Sequence, residues 1–375
     1  MTQFLGYVRP DGQLGIRNKV SIIFTTDCSR FVAQKLRMLF PEGTQLFGYP
    51  GGCGLVEGAF NKLVALGTHS STPSALVVGL GCEGTDANMV AEAIAKSGRP
   101  VEAIKINEQG GDIKTIEAGS HILLRLIQQA STVERAAMTP ADLIVGTECG
   151  GSDATSGLAS NPTTGAAADL LIAAGGTYMI SETEELLGCA DILASRSVNA
   201  EVAADIRKAI EEAEERSFAS GRFAWGYGNI MGGLTSIEEK SYGALAKTGT
   251  TPLQGVLRSY ARPQGKGLYI QVGEAGSGFF HGDPEGINQF AACGAHIGLF
   301  TTGCGSTTGG LIPVIKVIAN PKRMQLIADN ADLDATPIIR GEATIREMGA
   351  ALYAEILAVA AGKLTKSEIH GHYEV

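Results

Sequence analysis

The feature that most limits how this chain can fold is an alternation that recurs through its 375 residues. A short apolar run is followed by a polar or glycine-rich loop, and then by a stretch whose apolar residues recur at intervals of three and four. Runs at 20–24, 75–80 and 101–106 are followed by helical patterns at 30–39, 88–97 and 112–131. Runs this short and mainly apolar read as buried strands. Strands separated by helices form parallel sheets with right-handed crossovers. A second series follows at 143–146, 178–180, 268–272, 297–300 and 314–318, with a charged amphipathic helix at 200–220 and a final helix at 344–361. The expectation is an α/β protein of two Rossmann-like α/β domains with mainly parallel sheets. Residues 1–135 form the first domain and 136–375 the second, which carries most of the site; the polar stretch 130–140 reads as a linker. A chain of this length exceeds the usual single core. The tail from Lys363, with His370 and His372, reads either as a frayed terminus or as an H-x-H metal pair.

Chemistry-bearing residues cluster after the run at 141–145, in Thr147-Glu148-Cys149-Gly150-Gly151-Ser152-Asp153 and on through Ser156 to Asn161-Pro162. Open α/β sheets keep their sites at the carboxyl ends of strands. Cys149 and Asp153 there can hold a metal or move a proton. Helix capping by Asn161, with Pro162 at the first helical position, accounts for those two residues but not for Cys149, Asp153 or Ser156. Cys28 and Cys82 also follow apolar runs, and Cys53 sits in the glycine-rich Pro50-Gly51-Gly52-Cys53-Gly54. No pair of cysteines has CxxC spacing, so a shared metal would be assembled from separate loops; buried free cysteine is the alternative reading for each.

Composition narrows the class. A formal charge of −9 and a pI near 5.3 exclude a broad nucleic-acid surface. Without an apolar run of about 18 residues or a signal-like N-terminus, the chain reads as a protein outside the membrane and cytoplasmic, its seven cysteines reduced or ligating. No Gly-x-Gly-x-x-Gly follows the first strand, which argues against a dinucleotide-dependent oxidoreductase.

The opening Gly6-Tyr7-Val8-Arg9-Pro10-Asp11-Gly12-Gln13-Leu14-Gly15-Ile16-Arg17-Asn18 resembles the start of the large module of the altronate/galactarate dehydratase family. So do the cysteine phrases, Ser181-Glu182-Thr183-Glu184-Glu185, Gly232-Gly233-Leu234-Thr235 with Glu239-Lys240-Ser241, and Thr301-Thr302-Gly303 with Pro313, Lys316 and Asn320. The resemblance runs along nearly the whole chain. It implies an iron-dependent lyase, using Fe²⁺ or an iron–sulfur cluster, that eliminates water from a sugar acid; a sister branch resembles sulfolactate sulfo-lyase and expels sulfite. It also implies a separate small subunit in place of the N-terminal domain of fused relatives, and an oligomer.

On that resemblance the metal candidates are Cys53, Cys82 and Cys149, with His281 and Asp283. The candidates for proton transfer or carboxylate anchoring are Lys240, Lys316, Glu182 and Asp153, with Glu184 and Glu185 beside them. Ser152, Ser156, Asn161 and Thr302 are substrate-binding candidates. Arg9, Arg17 and Asn18 either clamp an anionic substrate or tie down the N-terminal segment. Three phrases depart from the sugar-acid members. No histidine precedes Cys53, Phe280-His281-Gly282-Asp283-Pro284 stands where they read Met-Asp-Thr-Pro, and Cys304 replaces an arginine after Gly303. The substrate need not be altronate or galactarate, and His281 suits a small dianionic hydroxy acid. A non-catalytic metabolite-binding paralogue is the rival class.

Overall fold

A computed structural model describes residues 3–221, 223–273 and 282–373 of the chain. By its contacts the chain divides into two compact units, one of residues 3–138 with Gly310–Ile312 and Tyr373, the other of Thr139–Gly309 and Pro313–His372. Among the described residues no helix is long and apolar enough to cross a membrane.

The N-terminal unit contains β1 (Phe4–Val8), β2 (Leu14–Gly15), β3 (Val20–Phe24), β4 (Thr44–Gly48), β5 (Ala75–Gly79), β6 (Val101–Lys105) and β7 (Arg135–Met138). A parallel sheet runs in the order β4-β3-β5-β6, and a small antiparallel sheet in the order β2-β1-β7. Val20, Ile22 and Phe24 alternate onto one face of β3 and are fully buried with Leu36, Leu123 and Leu126 from helices Asp27–Leu39 and Asp112–Ala130. Each such side chain contributes about 1.5–3 kcal/mol on leaving water. The stretch expected as a linker contains β7, paired with β1 from Phe4↔Met138 to Tyr7↔Arg135. Its few apolar residues hid a strand whose stability comes from that pairing.

The C-terminal unit contains β8 (Ile144–Cys149), β9 (Thr177–Ile180), β10 (Leu253–Leu257), β11 (Gly267–Gln271), β12 (Ile297–Thr302), β13 (Val314–Ile318) and β14 (Leu333–Asp334). All seven pair in parallel, in the order β10-β11-β9-β8-β12-β13-β14. From β8 the chain first builds outward through β9 and then returns to place β12 on the other side of β8. This makes the carboxyl end of β8 the switch point where such sheets form a crevice.

Helix Ala200–Ser220 has the expected bounds, and Thr344 opens helix Ile345–Ala360 with a reciprocal cap to Glu347. The tail is not frayed over its length: Thr365 caps a further helix, Lys366–His370, and His370 and His372 stack with ring centroids 5.4 Å apart. Asn161 does not cap helix Asn161–Ala173, because its side chain donates to the Gly243 carbonyl at 2.9 Å. That helix is preceded by a π-helical turn, Ser156–Ser160, a form found disproportionately at functional sites.

Candidate active site

The strand pattern buries the last residues of β8, Glu148 and Cys149, beside the segment that leaves β9. That segment turns sharply. Glu182 adopts φ 64°, a left-handed conformation that costs a residue with a side chain about 1–3 kcal/mol, and a 3-10 turn at Thr183–Glu185 follows. The turn aims Glu182 and Glu185 back at the end of β8. The Cys149 amide donates to Glu182 Oε2 at 2.8 Å, and its thiol donates to Glu185 at 2.9 Å and accepts from the Ser152 hydroxyl at 3.3 Å. Two lysines close the nest. Lys240 Nζ is 2.6 Å from Glu185 Oε1; Lys247 Nζ is 3.1 Å from Glu185 Oε2 and 3.3 Å from Glu182 Oε2. Lys240 also donates to the Ala224 carbonyl.

The electrostatics separate three carboxyls that look alike in sequence. Burial, then the neighbouring Glu182, pushes Glu148 well above the ordinary range, and the Ser181 hydroxyl donates to it at 2.6 Å. Burial, then Glu185, lifts Glu182 to about 7, an upward push that the 21% exposure of its side chain moderates. Burial alone would raise Glu185, but Lys240 and Lys247 hold it down to about 2. Burial and the two glutamates keep Cys149 a neutral thiol, and against the opposing effect of burial the surrounding acids hold both lysines protonated. Near neutrality the nest therefore holds two ammoniums, one carboxylate and one carboxyl in mid-titration, a net charge between 0 and +1. It can receive an anion and pass a proton at once.

Cys149, Glu182 and Glu185 offer ligand atoms all within 4.8 Å of one another, the spacing a metal ion needs. Their chemistry fits one poorly, because the ammoniums of Lys240 and Lys247 already occupy the lone pairs that would face a cation.

A cavity of ≈ 260 Å³ opens beside the nest, lined by Ser152, Asp153, Ser156, Asn161 and Lys240 among others. Asn161 is 2% exposed and its Oδ1 has no hydrogen-bond partner, leaving a polar atom for a ligand hydroxyl or carboxylate. The volume suits a small acid rather than a dinucleotide.

Several expected site residues have partners within the fold. Lys240 pairs with Glu185, which holds it protonated. Asp153 is committed to holding its loop: its carboxylate accepts from Thr155 at 2.6 Å, the Ser156 amide at 2.9 Å and Asn320 Nδ2 at 2.7 Å. Lys316 is buried in β13, where its amide donates to Asp332 at 2.9 Å and its charge acts on that carboxyl. Thr302 accepts from the Gly305 amide at 2.8 Å, which shapes the loop after β12. Arg9, Arg17 and Asn18 belong to the N-terminal unit and act there as ties. Arg9 donates to Ser70, Asn18 and the Arg17 carbonyl at 2.6–2.8 Å, Arg17 donates to the Ile16 carbonyl at 3.1 Å, and Asn18 donates to the Ala130 carbonyl at 2.7 Å. Glu184 turns away to pair with Arg216 at 3.0 Å.

Cys53 and Cys82 lie in the N-terminal unit and Cys149 in the other. His281 lies outside the described residues. Asp283 begins helix Asp283–Ala292; burial raises its carboxyl and Glu185 adds to the rise, against its own backbone amide and Lys240. Lys247 escaped the sequence reading, and Glu148 stands in it only as part of the phrase around Cys149, without a role of its own. Lys247 stands alone in a Gly/Thr-rich phrase, 245–252, where a cation has no surface-helix role, which was the available signal.

One glycine makes the nest possible. A Cβ on Gly286 would stand 2.2 Å from Glu148 Oε2. Gly286→Ala is expected to lower stability by about 1–3 kcal/mol through overpacking and to displace Glu148, with a melting curve and an activity assay as the check; an unchanged melting point and rate would refute the tight fit.

Residues 140–375 match the model of the C-terminal domain of D-galactarate/altronate dehydratase, well over half of the chain. The chain belongs to this family. Residues 6–131 match the second domain of D-galactarate dehydratase/altronate hydrolase. The chain is 34% identical to the (2R)-sulfolactate sulfo-lyase subunit beta of Chromohalobacter salexigens, over 99% of this chain and 96% of that one. It is 29% identical to the altronate dehydratase of Bacillus subtilis, over 97% of this chain and 75% of that protein. With the L-threo-forming galactarate dehydratase of Escherichia coli it shares 34% identity over 77% of this chain and 56% of the relative.

Proposed function

We propose that the protein is a lyase that eliminates a β-substituent from a small 2-hydroxy acid, giving a 2-keto acid. Carrying this reading is the sharing of Lys240 between cavity wall and nest, which sets a bound carboxylate against one ammonium and next to a nest that holds Lys247 and a carboxyl poised near neutrality. In such a reaction the proton on the carbon next to the carboxylate is removed, charge accumulates on the carboxylate as an enediolate, and the C3 substituent leaves as water or sulfite. The resulting enol then ketonises. Glu182, ionised, is the base for that proton. Lys240 and Lys247 face the charge that develops on the carboxylate oxygens, where fixed cations act more strongly than water would. Glu148, kept protonated, steadies Glu182 as it gains the proton, and the Asn161 carbonyl oxygen accepts from a substrate hydroxyl.

By their names the relatives differ in the group they expel. The relative matched end to end acts, by its name, on sulfolactate, and the altronate and galactarate dehydratases expel water. That relative is named as a subunit beta, so we also propose a partner subunit for this chain. Incubation with sulfolactate, altronate and galactarate under anaerobic conditions, reading 2-keto acid and sulfite, tests the reading. Keto acid from at least one is expected; none from any, with the partner subunit supplied, would overturn it.

A further inference from the structure

The N-terminal unit carries a second concentration of reactive side chains. Its parallel sheet, ordered β4-β3-β5-β6, brings the carboxyl ends of its strands to one edge. Three successive loops there each carry a cysteine: Cys28 in the first turn of the helix after β3, Cys53 after β4 and Cys82 after β5. The loops are stitched together by their backbones. The Gly51 carbonyl accepts from the Asp27 amide at 3.3 Å and the Thr26 hydroxyl at 3.1 Å, and the Cys53 carbonyl accepts from the Gly84 amide at 2.7 Å. The loop of Cys53 is thus tied on one side to the turn of Cys28 and on the other to the loop of Cys82. Glu83 completes the frame by accepting from the amides of Leu80, Gly81 and Cys82 at 2.7–3.1 Å and from the Thr25 hydroxyl at 2.7 Å.

All three thiols are free and exposed. Cys82 is raised above its ordinary range, by burial first and then by Cys53, which hydrogen-bonds to it, by Glu83 and by Cys28. Thiols are the soft donors that iron–sulfur clusters take, and coordination removes their protons outright. The spacing distinguishes the kinds of cation. A single tetrahedral ion with bonds of about 2.3 Å draws its sulfurs within about 4 Å of each other. Among the described residues only Cys149, Glu182 and Glu185 bring three ligand atoms within 4.8 Å, so the three sulfurs do not all lie within the reach of one ion. An iron–sulfur cluster takes sulfurs spaced more widely, because each thiolate binds a different iron.

We propose that Cys28, Cys53 and Cys82 hold an iron–sulfur cluster in which one iron has no protein ligand. This moves the metal away from Cys149, where two ammoniums oppose it, to a site of soft donors. When bound, such a cluster supplies a Lewis-acid iron open to an oxygen ligand. The proposal does not rest on the proton chemistry assigned to the nest, and its test needs no turnover.

The test is anaerobic reconstitution of the full chain with ferrous iron and sulfide, followed by iron and sulfide analysis and visible absorption before and after dithionite. About four irons per chain and a broad absorption that dithionite bleaches are expected. Cys28→Ala, Cys53→Ala and Cys82→Ala should each lose both signals while circular dichroism reports an intact fold, and Cys149→Ala should keep them. Failure of the wild-type chain to take up sulfide, uptake of a single ion without sulfide, or loss of the signals in Cys149→Ala but not in Cys28→Ala would each overturn the assignment.

Discussion

Lys247→Met is expected to lower turnover about 10²–10³-fold, as loss of one fixed charge-stabilising donor does, and to destabilise the protein by about 3–5 kcal/mol, as removal of one partner from a buried ion pair does. Lys247 bridges Glu182 and Glu185, and its side chain is only 5% exposed. Without it, Glu185 keeps Lys240 and Glu182 loses the ammonium that pairs with it. Glu182 should then rise above about 7 and be protonated at neutral pH, so that raising the pH restores part of the lost rate. The readouts are chemical denaturation and a rate profile from pH 6 to about 9. Wild-type stability with a wild-type rate would remove Lys247 from both roles.

Glu182→Gln should lower kcat/KM by about 10²–10⁴-fold, the usual worth of a positioned base. In the wild type, kcat/KM should rise through about pH 7 and level off above it, because the base acts ionised and its carboxyl is lifted there from an ordinary 4.5. Stability should move the other way. A carboxyl raised on folding holds more protons in the folded state between its two values, so its contribution falls as pH climbs from 4.5 to about 7. Glu148, raised for the same reason of burial, adds to that slope. Glu185 acts oppositely: held near 2, its contribution is complete above 4.5 and is lost as pH falls toward 2. A rate that rises while stability declines separates titration of the base from unfolding. Retention of the rising limb in Glu182→Gln would assign the base elsewhere.

The fold was legible because burial on both faces leaves a strong mark. The run Ala75–Gly79 is apolar throughout, Val20–Phe24 and Val314–Ile318 are interrupted only by Ser21 and Lys316, and no surface element needs that. β7 and β14 left no comparable mark, since an edge strand of four residues or two owes its existence to the neighbour it bonds. The carboxyl end of β8 was legible as a site for the same reason as the sheet: Cys149 and Glu148 are polar residues continuing an apolar run. Cys28 drew attention as a cysteine after a strand but without partners, because three loops meet only when β4, β3 and β5 lie side by side.

Residue type and local order by themselves determined the α/β class, the family phrases and the glutamates after β9. They could not assign protons. Glu148, Glu182 and Glu185 share one side chain, and only the folded arrangement, with burial on the first, burial and a rival carboxylate on the second and two ammoniums on the third, sets apart a carboxyl held protonated, one titrating near neutrality and one held ionised. The same holds for the cations. Arg9 and Lys316 look as functional in sequence as Lys240, yet backbone carbonyls hold the first and the sheet interior encloses the second, whereas Lys240 reaches both cavity and nest. The physical reason is range. Periodicity and capping act within a few residues, whereas charge interactions in a buried site depend on distances of 3–4 Å between groups dozens of residues apart, which tertiary packing alone sets.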